Sequence, residues 1–114
     1  MRGLVVWLNN PADTKGAVQA KSRVAVVISN ATTFDKFETA LVVMGTSNVN
    51  AAKRPHSVLV KIGHGNGLTS DTVFKCHQVQ AVDKKWIMSP HRGVLDPADF
   101  SAIEAKVKEA LGLK

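Results

Sequence analysis

Apolar positions fall in short runs separated by polar, glycine or proline breaks, and only the C-terminal segment carries a helical period. Leu4 to Leu8 predicts a strand, closed by Asn9-Asn10-Pro11. Residues 11–22 are turn-rich and weakly periodic, and read as a long loop of the kind that often carries function. Arg23 then opens the run Val24-Ala25-Val26-Val27-Ile28, closed by Ser29-Asn30. A run this short without polar alternation predicts a strand buried on both faces, with a cation at its mouth. Thr32 to Phe37 reads as a turn or short helix with Thr33 as its cap, and Thr39 to Met44 as the next strand. A polar loop over 48–55 precedes a strand at 57–62, and Gly63-His64-Gly65-Asn66-Gly67 forces a tight turn. Thr72 to Cys76 predicts a strand that continues or kinks to Val82, and a short extended piece follows near Trp86-Ile87-Met88. Asp96-Pro97 starts a helix, with Asp96 as N-cap. Its apolar face is Phe100, Ile103, Val107, Ala110 and Leu111, and Gly112 ends it. The expected fold is mainly β with a C-terminal helix, a small β-barrel with a helix packed on it, in one domain over residues 1–114.

Composition narrows the partners. The 114 residues carry 15 Lys and Arg against 9 Asp and Glu, a net charge of +6. The sequence pI is about 9.8, so an anionic partner is expected, nucleic acid first. The basic residues are spread along the chain rather than gathered in a tail, which fits a folded basic surface. Cys76 is the single cysteine; it excludes an internal disulfide and suits a reducing cytoplasm. The N-terminal apolar run breaks at Asn9-Asn10-Pro11, short of a signal-peptide core, and no run reaches membrane-spanning length. A soluble cytoplasmic protein without membrane association is expected.

Candidate chemistry gathers at strand ends. If the 23–29 and 39–44 strands are neighbours, Arg23 and the Thr46 and Ser47 hydroxyls project from nearby termini, an arrangement suited to a phosphate. Lys75 and His77, two apart in a strand, share a face, while Phe74 and Cys76 turn to the core. A histidine beside a fixed cation can serve as general acid or base. Lys21, Lys53 and Arg54 add phosphate-binding charge, and Trp86 beside Lys84-Lys85 is the best candidate for stacking on a base. The histidines lack the paired spacing of a zinc site, so no metal or cofactor is expected. An ordinary charged strand edge and a solvent-facing His–Lys pair produce the same patterns, so neither constellation identifies an activity alone.

The order of the pieces is more specific. Arg2-Gly3 through Trp7, Pro11 to Gly16, Gln19, Arg23 with the strand behind it, and Val42-Val43 through Thr46-Ser47-Asn48 follow one another in register. Lys53-Arg54-Pro55-His56, Gly67-Leu68, Cys76-His77-Gln78, Val82-Asp83-Lys84 and Leu95-Asp96-Pro97 complete the set. Almost end to end, the chain resembles the MazF/PemK/Kid family of toxin endoribonucleases from toxin–antitoxin systems. The resemblance implies an SH3-like β-barrel that forms a homodimer and cuts single-stranded RNA without a metal. The 2′-hydroxyl attacks the adjacent phosphorus, leaving 2′,3′-cyclic phosphate and 5′-hydroxyl ends, and an acidic antitoxin neutralises the enzyme. Carried over by position, Arg23 stabilises transition-state charge and Thr46 contacts the scissile phosphate. Lys75 and His77 stand where Kid-like members use an arginine and an aspartate. Gln19, Lys21, Ser47, Lys53, Arg54, Lys84 and Trp86 are the expected RNA-binding residues. The chain departs from the family at Gly16-Ala17-Val18-Gln19, where a polar residue and a glutamate are usual; the identity of the base is thereby open, with His77 as the candidate for acid or base. The competing reading is a member of the same fold without catalysis that grips RNA or protein, or a gyrase-inhibitor-like toxin. A plain basic interaction module is the third.

Overall fold

The computed structural model describes residues 3–9, 23–63, 65–88 and 93–113. Among the described residues six antiparallel strands form one sheet: β1 (Leu4–Leu8), β2 (Arg23–Val27), β3 (Thr39–Thr46), β4 (Ser57–Val60), β5 (Thr72–Asp83) and β6 (Gly93–Val94), in the order β4-β5-β3-β2-β1-β6. Helix α1 (Ala31–Lys36) joins β2 to β3, and α2 (Pro97–Leu111) closes the chain. The architecture is a β half-barrel with a C-terminal helix.

Burial on both faces of β2 comes from its alternation. Val24 and Val26 join the cluster that holds Phe74, Cys76 and, from α2, Ile103 and Val107. Ala25 and Val27 face the other way, among Leu8, Val42 and Met44, against Phe34, Val82 and Ile87. Burying a Val or Ile side chain on either face contributes about 1.5–3 kcal/mol, so β2 is anchored from two sides.

Beyond β5 the chain forms a 3-10 turn, Lys84–Trp86, and the extended piece expected near Trp86-Ile87-Met88 follows it at Ile87. It then reaches β1, where Ile87 bridges Leu8 and Met88 N donates to Trp7 O at 2.8 Å. This return packs Ile87 against the second cluster. Within the polar loop, Val49–Lys53 is also a 3-10 turn.

Local capping differs from expectation in two places. Asn30, not Thr33, caps α1, its side chain accepting from Thr33 N at 2.8 Å. An amide oxygen one residue before the helix reaches the orphan N–H that Thr33 itself carries. Asp96 does sit at the N-cap of α2 but makes no side-chain cap bond, and Pro97 starts the helix. Leu111, expected on the buried face, is exposed, because α2 packs on the sheet through its first three turns and then runs past it. In the tight turn, Gly65 and Gly67 hold φ of 77° and 74°, which only glycine adopts freely.

Candidate functional site

Strand register assembles the candidate residues. Leu8 pairs with Ile87 on one side and Arg23 on the other, and Thr46 pairs with Val73, which pairs with Leu59. Carried two residues past its last pair, Ala25 opposite Met44, the β2–β3 register sets Arg23 across from Thr46. The close approach of Gly45 to a Val24 methyl, 3.1 Å from an ideal Cβ, agrees with that extension. One row therefore crosses the sheet through Ile87, Leu8, Arg23, Thr46, Val73 and Leu59. Alternation places Arg23 and Thr46 on the face away from α2, beside Ala25 and Met44.

An irregularity in β5 supplies the other half. Val43 pairs with Val79 and Gly45 with Phe74, so Met44 alone spans on β3 what Lys75, Cys76, His77 and Gln78 span on β5. The excess residues swing away from β3 toward β4. Lys75 pairs with Ser57, and Cys76 N donates to His56 O at 2.9 Å. Bulges of this kind re-aim side chains and recur beside functional sites. Phe74 and Cys76 are fully buried, Lys75 is half-buried and His77 is exposed.

A cleft of about 310 Å³ opens where the bulge meets the 49–53 turn. β5 contributes Lys75, His77 and Gln78, β4 contributes Ser57, and the connection contributes Asn48, Asn50, Ala51 and Arg54. Among the described residues no carboxylate lines it. Thr46 borders it through Asn48, whose N–H donates to Thr46 Oγ1 at 3.2 Å. With its oxygen accepting, the Thr46 hydroxyl keeps a proton to donate. Asn48 Oδ1 accepts from Asn50 N at 3.1 Å, which fixes the start of the turn. Ser47 is exposed beside Thr46, and Lys53 is exposed at the end of the turn without lining the cleft.

Lys84 and Trp86 do not line this cleft. Lys84 Nζ lies 4.6 Å from the Phe34 ring centroid and donates to the Phe34 carbonyl, so its charge is spent on α1. Lys85 Nζ sits over Trp86 at 5.1 Å, on the ring that was expected to stack on a base. A larger depression of about 470 Å³ near Lys84 and Lys85 is lined by Asp35, Glu38 and Asp83 as well as lysines, a mixed field poorly suited to a polyanion. It lies at the Thr39 end of β3, roughly 23 Å from Thr46 at about 3.3 Å per residue. Gln19 and Lys21 lie outside the described residues.

Sequence reasoning did not single out Asn50, Ser57 and Gln78. Ser57 is visible only through its pairing with Lys75, whereas Asn48-x-Asn50 before a strand was a readable polar-turn signal.

Cys76 is not a nucleophile. Burial pushes its thiol from 9.0 up to about 11, against a smaller opposing pull from Lys106. The folded state keeps the proton to a higher pH than the unfolded chain does. The stabilisation is therefore complete below about pH 9 and is lost as pH rises toward about 11. Native protein at pH 8 is expected to react with Ellman's reagent far more slowly than urea-unfolded protein. Equal rates would show the thiol to be accessible.

A family model described as PemK-like, MazF-like toxin of type II toxin-antitoxin system matches residues 1–111, and the chain belongs to that family. A comparison with curated proteins returns no match. Among solved structures, an endoribonuclease in complex with its cognate antitoxin from a mycobacterial species superposes with a TM-score of 0.77 at 18% identity, over 100% of this chain and 96% of that one. The MazE–MazF complex from Deinococcus radiodurans gives 0.76 at 19% identity, over 99% and 95%. The Mycobacterium tuberculosis toxin MazF-mt6 gives 0.73 at 16%, over 96% and 97%. At such identities the likeness establishes the fold. Among the described residues no helix is long and apolar enough to cross a membrane.

Proposed function

We propose that the protein is a sequence-specific endoribonuclease toxin that cleaves single-stranded RNA without a metal, leaving 2′,3′-cyclic phosphate and 5′-hydroxyl ends. The observation that carries this reading is that Arg23 and Thr46 share one row of the sheet next to the Lys75–His77 bulge, whose cleft is lined by no carboxylate among the described residues. Family membership and the endoribonuclease among its structural neighbours support it.

The 2′-oxygen forms a bond to phosphorus as the bond to the 5′-oxygen breaks; one proton leaves the 2′-oxygen and one joins the 5′-oxygen. Arg23 and Lys75 offset the charge that grows on the phosphorane oxygens. Thr46 donates its hydroxyl proton to a phosphate oxygen. His77, exposed at the cleft, moves the proton. The working form is a homodimer in the cytoplasm. An acidic antitoxin segment, folding as it binds, neutralises the toxin by covering the same basic surface. The antitoxin complexes among the neighbours support that partner.

The test is cleavage of a long mixed-sequence RNA in EDTA, with the new ends mapped. Discrete cuts bearing cyclic phosphate are expected, and His77→Ala should slow them by about 10²–10⁴-fold with the fold intact. Full activity in that variant would remove His77 from the mechanism. Intact RNA from folded, antitoxin-free wild type would favour the non-catalytic reading.

A further inference from the structure

We infer that the cleft holds the nucleobase next to the scissile phosphate, and that Arg54, Asn50 and Gln78 select guanine there. The inference rests on the ribonuclease reading for the phosphate's position and adds the identity of the base.

Of the phosphate-directed groups Lys75 and His77 line the cleft, and Lys75 lies two residues along β5 from Val73, which stands in the row of Arg23 and Thr46. Arg54, Asn50 and Gln78 complete the lining, and Arg54 and Asn50 are exposed. Among the described residues, none of these three side chains has a hydrogen-bond or ion-pair partner. The neighbouring Asn48 is different: both its N–H and its Oδ1 are engaged in holding the turn. The cleft therefore presents a fixed frame with three uncommitted polar side chains around it.

The donor and acceptor set chooses the base. A guanidinium presents paired donors that match the O6 and N7 acceptors of guanine. The N1–H and N2–H₂ donors on guanine's other edge need acceptors, and the Asn50 and Gln78 carboxamides supply oxygens. Adenine offers a donor at N6 where Arg54 also donates, and the pyrimidines lack the N7 and O6 pair. Both edges of a base are accessible in single-stranded RNA.

Short RNAs that differ only at the base flanking the cut separate this from a general phosphate role for Arg54. Wild type should cut the guanine substrate about tenfold or more faster than the other three, and 7-deazaguanine should lose much of that advantage. In Arg54→Ala the guanine preference should collapse and the 7-deaza penalty should vanish. Inosine, which lacks the N2 amine, should report Gln78 and Asn50 in the same way. A uniform slowing in Arg54→Ala, with the base preference unchanged, would overturn the inference.

If wild type cuts no RNA, the ribonuclease reading fails separately. The base inference is then judged by titrating the four nucleoside 3′-monophosphates against ¹⁵N-labelled protein. Guanosine 3′-monophosphate binding most tightly, with shifts at Asn50, Arg54 and Gln78, supports it. Equal affinities, or shifts elsewhere, overturn it.

Discussion

Replacing Arg23 by alanine is expected to lower the rate of RNA cleavage by about 10²–10³-fold while the protein stays folded, the scale seen when one preorganised donor to a developing oxyanion is deleted. Arg23 is the exposed first residue of β2, so its removal takes nothing from either apolar cluster. The four residues after it are buried on alternating faces and held between β1 and β3, which fixes the direction in which the guanidinium leaves the sheet. Such a group costs little reorganisation when charge develops. Binding should suffer far less than turnover, because several cations share the ground-state contact with the backbone phosphates. Arg23→Lys should recover part of the rate, since the charge remains and the planar fork is lost. Single-turnover cleavage measured beside RNA affinity distinguishes the two effects. Equal losses in both would make Arg23 a binding residue, and wild-type turnover in Arg23→Ala would remove it from the site.

The two halves of the site have different structural origins, and this decides what could be read from the chain. The row that carries Arg23 and Thr46 is regular sheet. Its strands are dense in β-branched residues, and the run from Val24 to Ile28 announces a strand whatever surrounds it. The cation at its mouth was therefore legible. The Lys75–His77 pair was legible as two residues on one face, because Phe74 and Cys76 are apolar between and beside them. What local sequence does not carry is the offset that swings this segment from β3 to β4. That offset depends on Gly45, where an ideal Cβ would come within 2.7 Å of a Thr72 methyl and 3.1 Å of Phe74 and Val24. It depends equally on Lys75 finding Ser57.

His56 is a further case. It holds φ 60°, uncommon for a residue with a side chain, at the start of β4. Its buried Nδ1 lies 3.2 Å from Glu109 Oε1 of α2 without hydrogen-bond geometry. Nothing in Pro55-His56-Ser57 foretells that contact, which is made across the fold. Lys84 and Trp86 show the part that tertiary packing plays in a local pattern. Adjacent in sequence to an aromatic, a lysine pair resembles a stacking platform, but α1 takes Lys84 and Lys85 covers the indole. Local proximity was real there, and tertiary packing had already used it.

The largest stability effect is expected at a residue outside the site. Gly93 lies in β6, the two-residue strand at the far edge of the sheet, opposite Val5. A methyl at its Cα would be driven into the Gly65 carbonyl oxygen and to within 2.7 Å of Asn66 C and Gly67 N. All of these are backbone atoms, so no rotamer change relieves the contact. The turn they belong to is itself held. Asn66 is buried, its Oδ1 accepting from Leu68 N at 3.1 Å and its amide donating to Lys61 O at 3.0 Å. Val94 N also donates to Gly65 O at 2.9 Å. Gly93→Ala must either break this knot or pull β6 from β1, where Leu95 N is bonded to Gly3 O at 2.9 Å. Overpacking ordinarily costs about 1–3 kcal/mol, and a clash with fixed backbone belongs above that range, at more than about 3 kcal/mol. Against a total stability of about 5–15 kcal/mol, that is a large fraction. The urea midpoint should fall by about 1 M or more, given slopes of about 1–3 kcal/mol per molar urea. Gly112→Ala is the matched control. Gly112 has φ 76° but nothing within 4 Å of the added carbon, so it should lose only about 1 kcal/mol of conformational preference. If the two variants lose the same stability, the close approach at Gly93 is not what holds β6 to the turn.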